Sequence, residues 1–171
     1  RNPWGLAWNT GGSSAGGGAS LASGIGMMSV GSDIAGSVRL PAAHCGLASI
    51  KPTQGVIPHA PASTIRSAGP ITRQAADLKA WTILLNGPDD DDRYSVPLTD
   101  HNNGHQAKVG ASADFGFGPA VEPAVQACFE NVRSVLADLV GTVQDVDKRA
   151  DCDAYIAIDD ALKIKGWQEY A

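Results

Sequence analysis

Apolar residues return at helical spacing between Val121 and Leu139, where Val121, Val125, Phe129, Val132, Leu136 and Leu139 share one face. That pattern predicts the clearest helix of the chain. A second helix is predicted from Gln74 to Asn86, with Ala75, Leu78, Trp81, Ile83 and Leu85 as its apolar positions and Gly87-Pro88 as its stop. Small residues from Ala15 to Ile25 predict a close-packed helix, and Pro41 to Cys45 suits a short one ended by Gly46. Met27 to Gly31 reads as a short buried strand, and Lys108 to Ala111 and Thr142 to Val146 as two more. Gln54 to Ala68 contains prolines and no periodicity, and reads as a surface loop. From Ala150 onward the pattern supports a helix carrying Tyr155, Ile158, Leu162 and Trp167. Strands alternating with helices predict an α/β fold, a mostly parallel mixed sheet flanked by helices.

Composition narrows the function class. With 43% hydrophobic and 18% charged residues in 171, the chain has globular values and enough length for a sizeable core. A net charge of −5 argues against a nucleic-acid surface. No apolar run approaches the roughly 20 residues that span a bilayer, and no signal peptide is visible. Cys45, Cys128 and Cys152 are odd in number and lack CxxC spacing, which suits a reducing, cytoplasmic setting. The glycine excess lies before residue 60, as a tight active-site loop requires.

Candidate chemistry is concentrated between Gly11 and Thr53, GGSSAGGGASLASGIGMMSVGSDIAGSVRLPAAHCGLASIKPT. A Gly-flanked pair, Ser13-Ser14, is followed by Ser37 at the end of the loop Gly31-Ser-Asp-Ile-Ala-Gly-Ser. An amide carbonyl resists attack, so a serine nucleophile needs a base for its proton and donors for the developing oxyanion. The small residues before Ser37 let successive N–H groups converge, and Gly36 is free to adopt a positive φ, the setting of an anion-binding nest.

This block resembles that of the amidase signature family, serine hydrolases that cleave carboxylic amides with a Ser-Ser-Lys triad. The match runs without a gap from Arg1 to about Thr53, with both serines, Asp33, Arg39 and the KPT in register. The resemblance implies that Ser37 attacks and that Ser13, in a cis peptide bond after Gly12, relays the proton. It gives Ser14 a supporting hydrogen bond and makes the backbone amides of Ile34, Ala35, Gly36 and Ser37 the oxyanion donors. Asp33 and Arg39 resemble a supporting pair that fixes the loop. Gly69 to Asp92 (GPITRQAADLKAWTILLNGPDDDD) and the strand–helix–strand from Lys108 to Val146 are also similar to the family, though these motifs are generic.

Three departures stand out. Ala15 and Ala35 occupy positions where relatives carry glycine, and a methyl at Ala35 narrows the backbone's choices. The family's general base is a lysine on a strand upstream of the serine pair, whereas Lys51, Lys79, Lys108, Lys148, Lys163 and Lys165 all follow Ser37. Lys51 matches the KPT lysine, which is not the base. The expectation is therefore a single partial domain over 1–171, incomplete at both ends. Its parts are an active-site block (1–60), a helix and strand–helix–strand segment (61–149) and a peripheral helical segment (150–171).

Other chemistries fit less well. Gly12-Ser13-Ser14-Ala15-Gly16 satisfies G-x-S-x-G, which would make Ser14 an α/β-hydrolase nucleophile, but Pro3, Gly5, Gly11 and Gly12 disfavour the strand that this elbow needs. No GK[ST] follows the glycines, so a phosphate loop is not supported. Asp89 to Asp92 lack the alternation and closing Glu of a calcium loop and read as a solvated acidic turn. His44, His59, His101 and His105 have no partners at ligand spacing, Cys45 reads as buried packing, and Trp4 and Trp8 as cover for the core. No metal or other cofactor is expected. The expected substrate is a small-molecule amide, and the expected partners are missing flanking segments or a second copy. The competing expectations are a non-catalytic fragment or subunit that works only with a lysine-bearing chain, and ammonia transfer within a tRNA-dependent amidotransferase.

Overall fold

A computed structural model describes residues 1–98, 109–114 and 120–145. The chain divides into two compact units, Arg1–His101 and Asn102–Ala171. The helix expected from Ala150 lies outside the described residues.

In the first unit the elements are α1 (Ala15–Ala22), β1 (Met28–Asp33), α2 (Arg39–His44), β2 (Ala48–Ser49), β3 (Ser67–Thr72) and α3 (Ala75–Leu85). The sheet order is β1-β3-β2. Both pairings are antiparallel, with Val30 opposite Pro70 and Ala48 opposite Thr72.

The α/β class holds, but in this sheet the expected parallel pairing does not. β1 and β2 do run the same way, as a strand–helix–strand unit should. The slot between them is filled by β3, which runs opposite to both. The sequence pattern shows no strand there, because Gly69 and Pro70 read as turn residues. Ile50 N–H donates to the Pro70 carbonyl at 3.4 Å. In antiparallel geometry the N–H side of residue 70 faces the same way, where β2 has already ended, so the missing donor breaks no ladder bond. All six residues of β3 are buried. The loop expected over Gln54 to Ala68 therefore yields its last two residues to β3.

The small residues of α1 let it lie close to its neighbours: Gly18 is buried against Pro41 and Cys45. Leu21, Val38, Ala42 and Ile71 form one apolar cluster with Leu47 against it. Val56, Ile57 and Ala68 form another, backed by Leu85 of α3. On α3 the inward positions are Leu78, Trp81, Thr82 and Leu85, spaced i, i+3, i+4, i+7. Ile83, expected among the apolar positions, is 53% exposed. Thr82 takes the inward place instead, because its hydroxyl donates to Leu78 O at 2.7 Å and is satisfied without water.

In the second unit β4 (Val109–Ala111) pairs in parallel with β5 (Val143–Asp145) around α4 (Pro123–Val140), as the alternation predicts. Pro123 opens α4, and Gly141, at φ 85°, closes it. Of the expected apolar face, Val121, Phe129 and Leu136 are half-buried, while Val125, Val132 and Leu139 are exposed among the described residues. Arg133 pairs with Asp145 at 2.9 Å, tying α4 to β5.

Candidate active site

The site begins where β1 ends. Asp33 is the last residue of β1, and its buried carboxylate collects five hydrogen bonds. Oδ1 accepts from Gly36 N–H at 2.7 Å and Arg39 Nη2 at 2.9 Å. Oδ2 accepts from Val38 N–H at 3.2 Å, Arg39 N–H at 3.4 Å and Arg39 Nε at 3.0 Å. Burial pushes this carboxyl up, but the Arg39 fork and the three amides outweigh it and hold it well below the usual carboxylate range.

This gathering curls the loop. Gly36 sits at φ 112°, a left-handed conformation that side chains avoid. A Cβ there would also press on Leu40. Leu40 N–H donates to Gly36 O at 2.7 Å, so the curl passes directly into α2. Ser37 is half-buried at its crest, while Ile34 and Ala35 are exposed. Among the described residues no hydrogen bond engages the N–H of Ala35 or Ser37.

The serine pair arrives from the other side. Ser14 N–H donates to Ser37 O at 3.2 Å, which joins the two serine segments. The Gly12–Ser13 peptide bond is cis. Ser13 is exposed and Ser14 half-buried. Gly31 of β1 permits the approach: a Cβ there would collide with the Ser14 side chain and crowd Val38. Gly11 lies against the backbone of Leu40 and Pro41 and the His44 ring, with its N–H held by Asn9 Oδ1 at 2.7 Å.

Two supporting residues are not marked in the sequence. Asn2, 2% exposed, donates to Asn9 O at 3.3 Å and His44 O at 2.7 Å, fastening the segment before the serine pair to the end of α2. Nothing in a single Asn marks it. Gly31 reads only as a loop boundary, and the spacing that makes it necessary belongs to the folded chain.

Trp4 and Trp8 correct an expectation. They are 68% and 66% exposed and do not cover the core. Trp4 instead donates from Nε1 to Cys45 O at 2.7 Å, and Trp8 packs on Gly5, since short local turns keep both indoles at the surface. Cys45 is fully buried, as expected, and burial pushes its thiol up, away from the reactive thiolate. In the acidic turn Asp92 is buried rather than solvated, accepting from His59 N–H at 2.9 Å and Tyr94 N–H at 3.0 Å. His101 and His105 lie outside the described residues, as do Lys108, Lys148, Lys163 and Lys165. Lys51 Nζ donates to Pro52 O at 3.1 Å, and Lys79 is exposed on α3. Among the described residues no three His, Cys, Asp or Glu groups are placed to hold a metal. No described helix is long and apolar enough to cross a membrane.

Comparison with known proteins places the chain in a family. A family model described as amidase matches residues 1–153. The chain is similar to an acylamidase of Rhodococcus erythropolis, 44% identical over 103 residues, which take in 56% of the chain and 21% of the relative. It is also similar to one of the subunits of the glutamyl-tRNA(Gln) amidotransferase of Geobacter metallireducens, 32% identical over 154 residues, 82% of the chain and 32% of the relative. Among solved structures it resembles a bacterial aryl acylamidase of the amidase signature enzymes, with a TM-score of 0.73 at 28% identity, covering 100% of the chain and 39% of that structure. The chain thus spans less than two-fifths of the length of these relatives.

Proposed function

The chain belongs to the amidase signature family, and on that premise we propose that it supplies the nucleophile and oxyanion loop of a hydrolase cleaving carboxylic amide C–N bonds. Ser37 Oγ attacks the amide carbonyl as Ser13 Oγ takes its proton, and a lysine outside this chain accepts the proton through that relay. The tetrahedral intermediate collapses, the C–N bond breaks, and the relay returns the proton to the departing ammonia or amine. Water then adds to the acyl-Ser37 ester, losing a proton through the same groups, and the carboxylic acid leaves. The loop N–H groups stabilise the oxyanion, while Ser14, Gly12, Asp33 and Arg39 support the geometry.

The observation that carries this reading is the junction of the two serine segments. Ser14 N–H on Ser37 O keeps them together, and the Ala35 and Ser37 amides beside them are uncommitted among the described residues. A proton relay and an electrophilic pocket require such adjacency. The substrate is proposed to be a small-molecule amide handled in the cytoplasm. That setting is consistent with two free thiols, Cys45 and Cys128, among the described residues.

The test is amide hydrolysis by the chain together with the lysine-bearing remainder of the fold, in wild-type form and as Ser37→Ala. Loss of about 10⁴-fold or more in kcat on substitution is expected for a nucleophile. Undiminished hydrolysis would overturn the assignment. A second reading has the chain act only as part of a multi-chain assembly, and similarity to a component of an amidotransferase favours it. Activity that appears only when a separate lysine-bearing chain is added would select that reading.

A further inference from the structure

We infer that Asn86 is a modification site: a deamidation site that the fold shuts by clamping the side-chain amide, and whose conversion to a carboxylate releases residues 96–98 from Val56. Nothing in this depends on the serine chemistry. Asn86 precedes Gly87, which has no side chain to obstruct approach of its own nitrogen to the Asn86 Cγ. In that reaction Gly87 N bonds to Cγ and gives up its proton to water. The Cγ–Nδ2 bond breaks, and the amide nitrogen takes a proton from water and leaves as ammonia. A second water then opens the cyclic imide at either carbonyl, giving an aspartate or an isoaspartate.

Asn86 follows α3, half-buried, and its side chain is engaged at both ends. Nδ2 donates to Val56 O at 2.5 Å and to Val96 O at 3.2 Å, and Oδ1 accepts from Leu98 N–H at 2.9 Å. Bonds to both the N–H and the oxygen of an amide fix its plane, whereas ring closure needs that plane turned to meet Gly87 N. The segments it joins also meet directly. Val96 N–H donates to Gly55 O at 2.9 Å, and a Cβ on Gly55, at φ 82°, would collide with Tyr94 O. Val96 and Leu98 are exposed, while Val56 belongs to a buried apolar cluster with Ile57 and Ala68. Opening of residues 96–98 is therefore a local event, and it is the event that frees the amide.

Conversion bars the way back. A carboxylate accepts hydrogen bonds and donates none, so Leu98 N–H keeps its acceptor while Val56 O and Val96 O each lose a donor and face a negative oxygen. An acceptor left without its donor is costly. The isoaspartate form also adds a methylene to the main chain just before Gly87 and Pro88, which shifts the start of the turn.

Two measurements test this. The first follows deamidation of Asn86 by peptide mass mapping in the wild-type chain, in mildly alkaline buffer across a series of urea concentrations. The native rate is expected at least about tenfold below that in denaturing urea, and to rise at urea concentrations below the unfolding transition seen by circular dichroism. A native rate within about twofold of the denatured one would overturn the inference, and so would a rate that climbs only with global unfolding.

The second compares wild type with Asn86→Asp, the aspartate product in the same volume, by chymotrypsin cleavage after Tyr94 in native buffer. Cleavage about tenfold faster in Asn86→Asp is expected, because proteolysis reads the population of the opened segment. Equal rates would overturn the release. Where that variant does not fold, wild type aged to partial conversion and digested briefly serves instead. Chains cut after Tyr94 should then be enriched in converted Asn86, and no enrichment would overturn the release.

Discussion

A carboxylate withdrawn from water is destabilised by several kcal/mol unless donors replace its hydration, and Asp33 has five of them. Its folded-state pKa is depressed, so its contribution to stability is complete above the range where an unfolded aspartate ionises, near pH 4. It is lost only as pH falls below that range toward the folded value. Acid titration followed by circular dichroism should thus show a wild-type stability component lost below about pH 4 that Asp33→Asn lacks. The arginine's partial exposure tempers its own share, so Arg39→Ala should cost less than Asp33→Asn. Gly36→Ala should cost about 1–3 kcal/mol, through the φ of 112° and the pressure on Leu40, read as a lowered midpoint in urea. Cysteine chemistry separates in the same way. Brief alkylation of the native chain with iodoacetamide, mapped by peptide mass, should modify exposed Cys128 and leave Cys45 intact.

Among the elements, α3 and β3 show how a sequence pattern can name an element and still misjudge its setting. Periodicity gave α3 its place and most of its inner face, yet Ile83 and Thr82 exchange roles because a threonine can satisfy its hydroxyl within the helix. In this chain Ile83→Ala should cost under about 0.5 kcal/mol, as an exposed substitution does. Ile71→Ala, at a fully buried position of the central strand, should cost about 2–5 kcal/mol. Thermal denaturation of the two variants distinguishes the observed faces from the expected ones. β3 itself is hidden in the sequence because Pro70 counts against a central strand, and the shortness of β2 that makes the proline tolerable is a property of the assembled sheet.

For the molecule as a whole, the first unit carries apolar side chains at its surface. Ile50, Ile83, Leu84 and Leu98 of the first unit are all exposed, and the chain spans less than two-fifths of its relatives. The chain should bind a hydrophobic dye and self-associate as concentration rises. Dye fluorescence with sedimentation velocity checks this; a monomer without dye binding at high concentration would contradict it.

Much of the candidate site could be read before any fold was known, because its chemistry is local: two serine segments, the glycines around them and the Asp33–Arg39 pair lie within one ungapped block. Helical periodicity likewise located α3 and α4, since a 3.6-residue repeat is a property of the chain itself, and a run of small residues located α1. The sequence alone thus determined the family, the candidate reacting side chains and the positions of most elements. Only the tertiary structure decided that β3 enters between β1 and β2, that Ser14 can press against Gly31, and that the Gly36 amide belongs to Asp33. Those outcomes depend on which groups meet across many residues, and each buried donor or acceptor finds its partner only when the chain has closed around it.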